Sequence, residues 1–199
     1  MKFVFYRNIN PMCIVCKWNS GEEKLDLNIK ILDCQGCTTI TTIPILPNLV
    51  GLYCNSCPSL ASIPTMDNLE IIVCDNCTAL TNLSVMKKLK QLYCQGCTSL
   101  TSIPEMAELI KLYCQGCTSL TSISVMVNLE LLCCEYCTSL TNIPLLSNLQ
   151  KLFCQGCTSL TNIPIIPELK YINCNECKWI RQCDEYEENI KSLRSCQAI

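Results

Sequence analysis

The residues in this chain with the most chemistry to offer are its cysteines. There are 21, and most fall in pairs spaced Cys-x-x-Cys. The pairs are Cys34/Cys37, Cys54/Cys57, Cys74/Cys77, Cys94/Cys97, Cys114/Cys117, Cys134/Cys137, Cys154/Cys157 and Cys174/Cys177. Such a pair has three chemical uses: metal thiolate ligation, reversible disulfide formation and plain burial. The chain has no histidine, which removes the usual general base and the commonest nitrogen ligand for zinc. It also has no phosphate-cradling glycine loop and no Ser or Cys beside a plausible base. The expectation is therefore a protein without catalytic residues, and not an enzyme.

The step between pairs is 20 residues every time, and other columns keep the same step. One reads Ile29, Leu49, Leu69, Leu89, Leu109, Leu129, Leu149, Leu169. Others begin at Leu32, Ile40, Ile43 and Leu46, and a proline follows the Ile43 column at Pro44, Pro64, Pro104, Pro144 and Pro164. Within one repeat the apolar residues are mostly three apart, with a single step of two at Leu52-x-Cys54. Neither an amphipathic helix nor a long alternating strand has that pattern. The step of two marks a very short strand, and steps of three fit turns and extended segments. One coil per repeat with seven inward side chains follows. No coil buries them alone, so stacking must turn each column into a ladder and pair the strands into a parallel sheet. The Ile-Pro step disfavours helix on the far side, so extended or short 3-10 segments are expected there.

The run Leu49-x-x-Leu52-x-Cys54-x-x-Cys57-x-x-Leu60-x-x-Ile63-Pro64 resembles the leucine-rich-repeat motif, over residues 28–183 and in eight copies. The resemblance implies a leucine-rich-repeat solenoid, α/β in class but mostly β in content: a right-handed superhelix with a concave parallel sheet. The repeat length is similar to that of the shortest bacterial effector repeats. The wording Leu92-Tyr93-Cys94-Gln95-Gly96-Cys97 resembles repeats of giant amoebal viruses. The chain departs from the family pattern at two positions, with Cys for Leu in the strand and Cys for Asn at the turn. The effector resemblance does not extend to a ligase domain, because the 16 residues after Cys183 cannot hold one.

Residues 1–27 read as an N-terminal cap. Its Cys13-x-x-Cys16 lies 21 residues before Cys34/Cys37, which fits a degenerate coil. Residues 184–199 read as a C-terminal capping helix, with Asp184 leading and Tyr186, Ile190 and Leu193 on one face. Trp18 and Trp179 are expected to cover the edges of the core. The three segments make one continuous domain.

We read the paired cysteines as a reduced structural ladder, filling narrow coils and bonding loop carbonyls. Four-thiolate zinc or iron–sulfur ligation between neighbouring coils is the alternative. It would force adjacent cages to share ligands at a spacing of about 4.8 Å. No cofactor and no metal are expected. Cys133 falls between Leu132 and Cys134 and should face outward.

Binding, if the fold holds, belongs to the outward strand positions. These read Asp33, Tyr53, Val73, Tyr93, Tyr113, Cys133, Phe153 and Asn173. Tyr53, Tyr93, Tyr113 and Phe153 form an aromatic stripe beside Gln95, Gln115 and Gln155, with Lys111 and Glu135 among the interspersed charges. Mutual packing of the aromatics is an equal reading. The expected function is a non-enzymatic module that binds a protein partner through the concave face. A thiol-rich metal or redox buffer and a self-assembling structural protein stay open as alternatives, homo-oligomerisation among them. A net charge of −2 without charge blocks gives no reason to expect nucleic acid, and no apolar run approaches the ~20 residues of a membrane span. The N-terminal residues do not read as a secretory leader. Cytoplasmic residence is expected, in a host cytoplasm if the source is viral.

Overall fold

The computed structural model describes residues 13–22 and 24–178. The C-terminal segment 184–199, Trp179 and Cys183 lie outside the described residues. A short helix, α1 (Ile14–Asn19), precedes the coils. Eight three-residue strands follow at intervals of 20: β1 (Ile31–Asp33), β2 (Gly51–Tyr53), β3 (Ile71–Val73), β4 (Gln91–Tyr93), β6 (Lys111–Tyr113), β8 (Leu131–Cys133), β9 (Lys151–Phe153) and β10 (Tyr171–Asn173). They form one parallel sheet in sequence order. Each residue pairs with the one 20 further on, as Leu92 does with Leu112. The chain is a solenoid of stacked 20-residue coils, almost all strand and turn among the described residues.

The steps of three have a simple cause. In the coil that starts with β4, Cys97 N–H donates to Cys94 O at 3.3 Å, Leu100 N–H to Cys97 O at 3.0 Å, and Leu109 N–H to Met106 O at 3.1 Å. Each is a β-turn, and residues i and i+3 of such a turn both point into the coil. Successive turns thus put an apolar residue inward every third position. The coil is closed by stacking: Ile110 N–H donates to Lys90 O, Cys94 N–H to Tyr113 O, and Gly96 N–H to Gln115 O.

On the side opposite the sheet the chain is extended. β5 (Ser102–Ile103) pairs with β7 (Ser122–Ile123), and Thr42 bridges Ser62. Thr and Ser hydroxyls there reach backbone of the preceding coil, as Thr121 Oγ1 does to Thr101 O at 3.0 Å. None of these segments is helical.

The core is a stack of seven columns. Leu89, Leu92, Cys94, Cys97, Leu100 and Met106 have no exposed surface and Ile103 almost none. Ile29 and Leu169, near the two ends of their column, are only partly buried. Fully burying one such side chain contributes roughly 1.5–3 kcal/mol, so most of the stability lies in the ladders. No described polar or charged residue is buried as a whole. No helix among the described residues is long and apolar enough to cross a membrane.

The N-terminal segment departs from expectation. Cys13 and Cys16 start a helix, so the pair does not open a degenerate coil. A residue pair three apart fits a helical turn as readily as a β-turn. Trp18 is exposed, not folded over the core edge.

Candidate functional site

In each strand the middle residue points inward and its two neighbours face outward. The outward third positions stand in register across the sheet. Tyr93 and Tyr113 stack, with ring centroids 4.7 Å apart and planes within 6°. That separation is the strand spacing itself, so in-register pairing alone brings the rings face to face. The Tyr93 hydroxyl donates to Gln91 Oε1 at 3.0 Å, which pins the ring. Desolvation, and then the neighbouring Tyr93, push the Tyr113 phenol above its ordinary value, so it remains a donor at neutral pH.

The other aromatics do not continue this stack. Val73 separates Tyr53 from Tyr93. The Tyr53 ring lies along its own strand instead, filling the place of the side chain that Gly51 lacks; a Cβ there would sit 3.3 Å from Tyr53 Cε2. Cys133 belongs to the outward column but is buried, 6% exposed. It lies between Tyr113 and Phe153 in the register, and larger side chains on both sides cover a small one. The expectation of an exposed thiol at Cys133 is therefore corrected. Burial, with Glu135 second, pushes this thiol up to about 12. Phe153 pairs with Tyr171, centroids 5.0 Å apart and tilted by 38°. The four expected aromatics thus form no single stripe. They make a stacked pair, a tilted pair that recruits Tyr171, and the separate Tyr53.

Sequence reasoning missed Tyr171 because it followed the column after the inward Leu. The column before it also faces out: Ile31, Gly51, Ile71, Gln91, Lys111, Leu131, Lys151, Tyr171. Its 20-residue step was the available signal. Lys111 is exposed in this column.

Gln95, Gln115 and Gln155 occupy the turn that leaves each strand. Gly96, Gly116 and Gly156 follow at φ near +70°, the left-handed region that glycine enters without penalty. Gln95 N–H donates to Asp75 Oδ1 at 2.8 Å, and Gln155 Nε2 donates to Glu176 Oε1 at 3.3 Å. Burial holds the Asp75 carboxyl above the usual range, partly offset by the Gln95 N–H. Glu135 takes the same turn position and accepts from Gly116 N–H through its backbone oxygen.

Beside the sheet runs an open groove of about 580 Å³, lined by Lys90, Glu108, Glu130, Glu168, Asn128 and Asn148 among others. Three carboxylates and one lysine make it acidic, and Lys90 is already paired with Glu70 at 2.9 Å. The asparagines donate to the preceding coil, Asn128 Nδ2 to Ala107 O and Asn148 Nδ2 to Val127 O. A separate row of exposed apolar residues, Ile45, Val85, Val125, Leu145 and Ile165, lies after the Ile/Leu column. Thr65 and Glu105 interrupt it, and this irregular column was not singled out in the sequence.

The coil cysteines have two roles. Each turn cysteine from Cys57 to Cys177 donates its thiol to the carbonyl of the strand cysteine in the preceding coil: Cys57 to Cys34, Cys77 to Cys54, Cys97 to Cys74, Cys117 to Cys94, Cys137 to Cys114, Cys157 to Cys134 and Cys177 to Cys154, at 3.0–3.1 Å. The strand cysteines fill the coil interior. In the central coils the neighbouring turn thiol, then desolvation, holds Cys94, Cys114 and Cys134 well above the ordinary thiol value. They are protonated, inert packing groups at neutral pH. No two described cysteines are joined by a disulfide.

No protein-family model matches the chain, and no curated protein is significantly similar to it. Among solved structures, a leucine-rich repeat protein from Bacteroides ovatus ATCC 8483 aligns with 77% of this chain at 20% identity and a TM-score of 0.36. The alignment spans 60% of that protein.

Proposed function

We propose that this leucine-rich-repeat solenoid is a non-enzymatic protein-interaction module that holds a protein partner against the outer face of its sheet, the concave face in solenoids of this kind. The stacked Tyr93–Tyr113 pair carries the reading. Both rings are half-buried and held in one orientation before any partner arrives. Preorganised aromatics present a large apolar area at little entropic cost on binding. Lys111 and the Gln95/Gln115 turn supply polar contacts at the edge of this pair, and the acidic groove adds charge selectivity. The described cysteines without disulfides fit a reducing compartment such as the cytoplasm.

The test compares partner capture by wild type and by Tyr93→Ala/Tyr113→Ala. A partner retained by wild type should be lost from the variant, while the unfolding midpoint shows that the variant still folds. Equal retention by both would remove this face as the binding site.

A further inference from the structure

The one cysteine pair outside the repeat sits in a different environment from the other eight. Cys13 and Cys16 start α1, and the helix delivers them to the first coil. Cys13 Sγ lies 3.7 Å from Cys16 Sγ, and Cys16 Sγ lies 3.4 Å from Cys37 Sγ. All three sulfurs fall within 4.8 Å of one another and all are buried. Cys34, 2% exposed, opens the Cys-x-x-Cys pair that Cys37 closes and is buried in the same first coil. Among the described residues no other three potential ligands converge in this way, although 16 cysteines line the coils.

We propose that Cys13, Cys16, Cys34 and Cys37 form a structural Zn2+ site that fastens the N-terminal segment to the first coil. Four thiolates at a Zn–S distance of about 2.3 Å in a tetrahedron stand roughly 3.8 Å apart. The Cys13–Cys16 and Cys16–Cys37 separations are already close to that edge. The spacing Cys-x2-Cys-x17-Cys-x2-Cys also lies within the range in which two pairs make one zinc site. In the coils, by contrast, each turn thiol is aimed at a carbonyl of the preceding coil. Cys37, in the first coil, meets the Cys16 sulfur at 3.4 Å.

The surroundings fit a ligand role. The Cys13 side chain makes no capping hydrogen bond to the helix it starts. Thr39 Oγ1 lies 3.2 Å from Cys16 Sγ and 3.6 Å from Cys37 Sγ. Its hydroxyl can donate to a thiolate, the kind of outer contact that orients metal ligands. Binding balances as Zn2+ plus four thiols giving a tetrathiolate complex of charge −2 and four released protons. The consequence is a metal-closed end. A six-residue helix has little stability of its own, and an open solenoid end needs a cap.

The full 199-residue chain, purified without a metal-binding tag under reducing conditions, should carry about one equivalent of zinc. Cys13→Ser/Cys16→Ser should carry less than a tenth of that, while the ladder variant Cys97→Ser keeps it. Thr39→Val should weaken zinc affinity about tenfold. Should the double variant fail to fold, the wild type decides the matter. Metal-stripped protein titrated with Co2+ should develop the intense visible bands and thiolate charge transfer of a tetrahedral sulfur site. X-ray absorption of the zinc form should show four sulfurs at about 2.3 Å. Absence of bound metal after reconstitution, oxygen or nitrogen ligation, or full zinc retention by a folded Cys13→Ser/Cys16→Ser would each overturn the proposal.

Discussion

The same four letters, Cys-x-x-Cys, serve two structures in this molecule. In the coils the second thiol of each pair from Cys57 onward faces a backbone oxygen, as Cys117 faces Cys94 O. At the N-terminal end the pair faces sulfur, with Cys16 against both Cys13 and Cys37. The difference is in what stands next door. A neighbouring coil is this coil translated by one strand spacing, so it presents the same carbonyl every time. A helix is not a translated coil, and it brings its cysteines in at another angle. Spacing along the chain therefore identifies a thiol pair, whereas the neighbouring element decides its chemistry.

The comparison is broken most severely on the ladder side. Leu112→Ala removes a fully buried side chain with equivalent leucines on both flanks, Leu92 and Leu132. It should cost roughly 2–5 kcal/mol, read as a fall in the denaturant midpoint at unchanged metal content. Contacts run only between adjacent coils, so damage at the Cys13 cluster should appear in hydrogen exchange of the first coils before it reaches the centre. A Leu112→Ala midpoint equal to wild type would mean that the ladder is not the source of stability.

Solution pH separates the two regions by sign. Cys94, Cys114 and Cys134 have folded-state values raised above the ordinary 9.0. As pH rises past 9.0, the unfolded chain ionises first and binds fewer protons than the native one, so stability falls. It is fully present below that value, and each such thiol withdraws about 1 kcal/mol per pH unit above it. A metal-bound cluster responds in the opposite direction, since protons compete with the metal for thiolate as pH falls. Unfolding midpoints and zinc content, followed together from pH 5 to 11, should show midpoints falling on the alkaline side and zinc release on the acid side. Midpoints unchanged above 9.0 would contradict the assignment of these three strand thiols as buried and neutral.

A finer cut isolates one ladder bond. Cys97→Ala deletes the thiol that donates to Cys74 O, a carbonyl that still receives Cys77 N–H. With its acceptor left partly satisfied, the loss should be near 1 kcal/mol. Cys97→Ser keeps a donor at the same place and should recover part of it in the same unfolding measurement. Equal losses for the two would show that sulfur packing, not the hydrogen bond, is what the turn position requires.

Much of the fold was legible in the chain because a 20-residue step leaves few solutions. Seven apolar columns in fixed register, with steps too short for a helix, demand stacked coils, and Leu92, Leu112 and Leu132 sit where that reading puts them. The surface was legible only by column. The outward face of Tyr93 and Tyr113 follows from alternation about an inward leucine. Whether two rings stack, lie flat or cover a neighbour depends on the residues one coil away and on the same strand. Gly51 lets Tyr53 lie down, and the small Cys133 breaks the stack and is buried by the break. Tyr171 joins the face from the neighbouring outward column, which a search along a single column passes over.

The amino-acid sequence by itself determined the coil, the eight strands of the main sheet, the inward columns and the absence of a histidine base. Those properties follow from periodicity and composition, which are local or translational. The tertiary structure decided which thiols meet carbonyls and which meet one another. It also decided which aromatics are paired. Those outcomes depend on distances of a few ångströms between residues about 20 positions apart. At Cys37 the partner is no longer a copy of its own coil, and translation along the repeat stops predicting the neighbour.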